Sequence, residues 1–118
     1  MDTTAATGYA DCLSGSWLAV RLGVGPRRID VMRRSGELMA VRPAGATEWL
    51  YPGWQLHEGR VRDVVPQLVA AAREAGLDEN DLYETMTGRL GLRGDRRLAD
   101  LLVAGEERQV LEAVRGRP

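Results

Sequence analysis

The chain of 118 residues has no lysine and no phenylalanine, one cysteine and one histidine. A single thiol, Cys12, cannot close an internal disulfide, and with His57 it falls short of the ligand set that a zinc site requires. No run approaches the ~20 apolar residues that span a bilayer. The opening MDTTAATGYAD lacks the basic start and apolar stretch of a secretion signal. A cytoplasmic protein with no membrane or metal partner is expected. Signs of catalysis are missing as well. No nucleophile is paired with a base, and no two carboxylates share an apolar setting. The glycines of GRLGLRG have neither the Gly-Lys-Ser/Thr of a phosphate loop nor a strand before them, so this stretch reads as a loop. An enzyme is not expected, and neither is a cofactor. Without phenylalanine, large apolar contacts must come from Trp49, Tyr51 and Trp54, which are expected to cement a hairpin against the C-terminal helices.

Charge is informative by position. All sixteen basic residues are arginine, a bias that a GC-rich genome explains without function. Residues 13–57 hold six arginines against three acids, a net +3, whereas residues 58–118 hold ten against twelve, a net −2. The basic excess thus lies in the N-terminal half. It is modest beside the footprint of a strongly basic nucleic-acid-binding domain.

The pattern along the chain predicts a mainly α protein in three parts: a mobile tail (1–12), a small domain (13–57) and a helical C-terminal domain (58–118). In LSGSWLAVRLGV, Ser14 or Ser16 suits an N-cap, Trp17, Val20 and Val24 fall on related helical faces, and Gly23 interrupts. Pro26 suits the first turn of a second helix, where its missing N–H costs nothing. Ile29 and Met32 should face inward there, with Arg27, Arg34 and Asp30 or Val31 outward, and Gly36 should end the helix in the left-handed region. ELMAV and EWLY are short β-compatible runs around the turn-forming RPAGAT, which predicts a hairpin over about 37–51. Further on, Asp63 is read as an N-cap with Pro66 in the first turn, Val64, Leu68, Val69 and Ala72 as one apolar stripe, and Gly76 as the stop. Asp78 caps a shorter helix with Leu82 and Met86 inward, whose carboxylates in DENDLYE complement the helix dipole. A last pair of helices meets at Gly105, with Leu98, Leu101, Leu102, Val110, Leu111 and Val114 apolar. None of these helices is long enough to stand alone, so all must pack together. Cys12 is read as incidental and His57 as a surface residue.

LAVRLGVGPRRIDVMRRSGELMAVR resembles the winged helix-turn-helix of excisionase and MerR-type proteins, most specifically in SGELMAVR, Ser35 to Arg42. The remainder is similar to the small helical C-terminal domains of actinobacterial DNA-binding proteins of this type. It also resembles the toxin-binding C-terminal domain of Xre/ParS-type antitoxins, through YPGWQL, Pro66 and LADLLVAGEERQVLEAV. The resemblance implies a winged helix-turn-helix with a small β-hairpin wing, followed by a compact helical bundle. It implies a transcriptional regulator that binds double-stranded DNA. The recognition helix, about 26–35, would present Pro26, Arg27, Asp30, Val31 and Arg34 to the major groove. Arg28 would lie near a phosphate, and Arg42 at the start of the wing would hold another. The alternative implied is an antitoxin or adaptor whose C-terminal helices bind a protein partner, or pair two copies, with weak or autoregulatory DNA binding. The chain departs from the family at Asp30 and Val31, where polar or basic residues are usual, and at the uncharged tip PAGAT. Arg33 occupies a position usually apolar, so its stem is expected to run along the core edge.

Overall fold

The computed structural model describes residues 9–88 and 96–116. Among them are six short helices: α1 (Gly15–Leu22), α2 (Pro26–Arg34), α3 (Val65–Glu74), α4 (Glu79–Thr87), α5 (Leu98–Val103) and α6 (Glu107–Arg115). Strands β1 (Cys12–Ser14) and β2 (Leu50–Pro52) pair antiparallel, with Leu13 opposite Tyr51, and β3 (Leu56–His57) pairs with β4 (Arg60–Val61). The fold is mainly α, as its sequence pattern predicts, and its Cα radius of gyration is 13.8 Å.

The helix ends follow from local chemistry. Ser14 caps α1, its hydroxyl accepting the Trp17 amide at 3.2 Å. Gly36, at φ +87°, reverses the chain after α2. There Gly36 N–H bonds Arg33 C=O and Glu37 N–H bonds Met32 C=O, which satisfies two carbonyls the helix leaves open. Asp78 and Asp81 cap α4 reciprocally. The α3 start differs from expectation. Asp63 does not cap it; Val64 holds the cap position, and the turn from Arg62 C=O to Val65 N–H leads into the helix instead. Pro66 lies in the first turn, where one fewer donor needs a cap. The loop expected over GRLGLRGD falls almost wholly outside the described residues.

Two apolar clusters share one connecting segment. Leu18, Ala19, Ile29, Leu38, Ala40 and Tyr51 form the first, at the junction of α1, α2 and β2. The second gathers Val65, Leu68, Leu82, Met86, Leu98, Leu102, Val110 and Val114 from the four later helices, together with Met39, Val41 and Trp54. Along residues 38–41, successive side chains point to opposite sides. Leu38 and Ala40 enter one cluster while Met39 and Val41 enter the other. This alternation joins residues 13–57 to the C-terminal helices across a common spine.

Two expectations need correction, and the buried side of α1 is decided by packing. Trp17 and Val20 are 63% and 72% exposed, while Leu18 and Ala19 are buried. In an eight-residue helix with apolar residues all round, spacing alone does not select the buried side; packing against α2 and the β1–β2 pair does. The ELMAV segment forms no continuous strand. A single bridge joins Val41 to Leu50, with both bonds at 2.8 Å, and β2 pairs with β1. The buried Gln55 amide takes the ladder's place, accepting from Met39 N–H at 2.7 Å and donating to Met39 C=O at 2.9 Å. Finally, the part of the expected tail from Tyr9 to Cys12 is anchored; residues 1–8 lie outside the described residues. The Asp11 carboxylate accepts from Trp54 Nε1 at 2.7 Å and Tyr83 Oη at 2.9 Å, and Tyr9 stacks on Tyr83.

Candidate nucleic-acid interface

Helix α2 is placed by its two inward-facing apolar residues. Ile29 is buried and Met32 half-buried against the first cluster. At 100° per residue, the opposite face is then centred on Arg27, Val31 and Arg34, spaced i, i+4, i+7. All three are exposed, as are Pro26 and Asp30 on one flank and Arg28 on the other. The structure therefore gathers the whole α2 set named from sequence on one solvent-facing surface. Arg42 is exposed too, beside the bridge to Leu50.

These cations are not equivalent. Arg28 Nη2 lies 3.8 Å from Glu37, whose other oxygen accepts the Ser35 hydroxyl at 2.6 Å. Asp30 lies 3.4 Å from Arg33, and this pairing leaves its carboxylate less able to repel an anion over the helix centre. Among the described residues, neither Arg27 nor Arg34 has an acidic partner within ion-pair distance. The centre of the α2 face thus carries two uncompensated charges. The cleft beside it, between α2 and residues 47–49, is lined by two acids, Asp30 and Glu48, and one cation, Arg33.

Arg33 runs along the core edge as expected, its side chain only 14% exposed. Its guanidinium lies 4.4 Å from the Trp49 ring centroid, and that of Arg42 lies 4.7 Å from it. Trp49 therefore joins α2 to the arm carrying Arg42, as one half-buried ring holding two cations. Burial raises the Tyr51 pKa, with Arg33 opposing that rise, so the phenol beneath stays neutral. The three aromatics divide their work more than the sequence reading expects. Trp54 packs with the C-terminal helices, Tyr51 with α1 and α2, and Trp49 with the arginines.

The arm turns at Pro43–Ala46, where Ala46 N–H bonds Pro43 C=O at 2.9 Å and Gly45 takes φ +82°. Its tip is exposed and uncharged, which leaves Arg42 as the cation of the arm.

Two contributors escaped the sequence reading. Arg73 at the end of α3 donates to the Arg34 carbonyl at 3.3 Å. Asn80 in α4 meets Arg42 with both ends of its amide: its Oδ1 accepts Arg42 N–H at 2.9 Å and its Nδ2 donates to Arg42 C=O at 2.8 Å. Nothing in DENDLYE distinguishes Asn80 from its acidic neighbours, and a contact across 38 residues leaves no periodic trace.

The solution NMR structure of Rv2175c is similar to this chain, with a TM-score of 0.74 and 22% sequence identity over 88% of this chain and 78% of that one. The likeness establishes a shared fold. No protein-family model matches the chain, and no curated protein sequence does.

Proposed function

We propose that this protein binds double-stranded DNA as a winged helix-turn-helix regulator, with α1 bracing, α2 in the major groove and the arm at 42–49 as a reduced wing. One observation carries the reading most directly: Arg27 and Arg34 stand on the centre of an exposed helix face without an acidic partner among the described residues, with Arg42 held beside that helix through Trp49. Paired carboxylates at the flanks and a neutral arm tip point to few phosphate contacts and modest affinity. Val31, 42% exposed between the two arginines, suits a thymine methyl in the groove. The Asp30 carboxylate can accept from cytosine N4 at the helix edge.

Fluorescence-anisotropy titration against the protein's own upstream duplex and a scrambled duplex tests this. Tighter binding to the upstream duplex is expected. Arg27→Ala or Arg34→Ala should each flatten the log–log salt dependence by roughly one unit if that arginine meets a phosphate. Binding that ignores salt and both substitutions would refute the reading.

A second reading, an adaptor whose main task is to hold a protein partner, draws on the bare apolar pair Trp17 and Val20 on α1. It differs in outcome, because DNA binding would then be absent or indifferent to duplex sequence.

A further inference from the structure

The Arg42 backbone has an unusual neighbour. In an extended segment, the N–H and C=O of successive residues point to opposite edges, so those of every second residue share an edge. Met39 and Val41 turn theirs toward Gln55 and Leu50. Arg42 turns its pair the other way, toward α4, and there the Asn80 amide meets both at 2.9 and 2.8 Å. Asn80 acts as a one-residue strand, completing the open edge of the arm at the residue whose side chain reaches out. The guanidinium is fixed separately, over Trp49. Arg42 is thus restrained at its backbone by a C-terminal helix and at its tip by the arm's own tryptophan.

We infer that Asn80 is a positioning residue for DNA binding, through which helix α4 sets the place of the Arg42 guanidinium. This rests on the reading that Arg42 meets a phosphate. A side chain with several rotatable bonds contributes a defined contact only if its Cα is fixed. Arg42 begins an exposed arm that contains a proline, a glycine and no further ladder bond before Leu50. Without Asn80, the Arg42 peptide loses both partners to water and the arm is free to swing about the Val41–Leu50 bridge. The C-terminal helices would then contribute to DNA affinity without touching DNA.

The test is a double-mutant cycle read by the anisotropy titration across salt, with wild type, Asn80→Ala, Arg42→Ala and the double variant. Asn80 lies outside the apolar clusters, so N80A should fold, with a urea midpoint close to wild type. N80A and R42A are each expected to lower the salt slope by about one unit, roughly 3.5-fold in affinity between 50 and 200 mM salt. The double variant should lose no more than either alone. In wild type, amide exchange at Arg42 should be slow beside Ala44 at the arm tip, and N80A should remove the difference. Additive losses, an N80A slope equal to wild type, or an Arg42 amide that exchanges as fast as Ala44 in wild type would each overturn the inference. Wild type that binds with dependence on Arg27 while N80A is unchanged overturns Asn80 alone; wild type that does not bind DNA overturns both readings.

Discussion

The Asp11 carboxylate accepts from Trp54 and Tyr83 and lies 3.9 Å from Arg97, so one residue near the N-terminus meets side chains from the 3-10 turn after β2, from α4 and from the edge of α5. Asp11→Ala would leave the Trp54 Nε1 and Tyr83 Oη donors without an acceptor, at about 1–3 kcal/mol for each one fully buried. The Asp11 side chain is 31% exposed, so water offsets part of this, and a loss of about 2 kcal/mol in urea unfolding is expected. A change below about 0.5 kcal/mol would contradict the anchoring role. Its neighbour Cys12 is held as a thiol. Burial pushes its pKa up from 9.0 to about 12, the Asp11 charge adds to this, and a hydrogen bond involving Tyr83 opposes it. The folded state therefore favours the protonated form; the resulting stability is present below pH 9.0 and is lost as pH rises toward about 12. At pH 8 the folded protein therefore holds Cys12 as the thiol. Labelling by a thiol reagent at that pH should be slower in the folded than in the urea-unfolded protein, and equal rates would contradict this. The sequence marks Cys12 only as a lone thiol, and its setting arises from the packing of the segment on Tyr83.

At the scale of elements, the segment 38–41 shows where sequence patterning reaches and where it stops. Its β-compatible character was legible in ELMAV, whereas its place between two apolar clusters was not, because four successive apolar residues carry no alternation. That the strand would be completed by amide side chains, with only one bridge to Leu50, was not legible. Gln55 and Asn80 have the composition of ordinary polar residues, and only the fold brings them to bare peptide groups. Helix ends were easier where glycine or a short acceptor acts within four residues: Ser14, Gly36, Gly76, Asp78 and Gly105 all do so. Asp63 failed because a preceding turn already served Val65. Gln55 is fully buried, so Gln55→Ala should strand Met39 N–H and C=O in the core. A loss of about 2–4 kcal/mol is expected from these two groups, with faster amide exchange at Met39. Unchanged exchange at Met39 would show that another group pairs its backbone.

At the scale of the whole molecule, the basic excess of residues 13–57 and the acidic balance of residues 58–118 make an asymmetric field. Such a field favours approach of a polyanion by the α2 side. The spine of residues 38–41 links that side to the C-terminal helices, and Asn80 and Arg73 reach back to the arm and to the end of α2. The exposed face of α2 could be read from Ile29 and Met32 alone, since two inward residues fix the azimuth of a nine-residue helix. The neutralisation of Arg28 and Asp30 by neighbours could not be read, because it depends on the turn at Gly36 and on rotamers. Whether the α2 face meets DNA, as proposed, is read by amide chemical-shift mapping during titration with the upstream duplex. Shifts are expected to concentrate at Arg27 to Arg34 and at Arg42, with α5 and α6 unmoved. Shifts confined to α5 and α6, or none at low salt, would contradict the proposal.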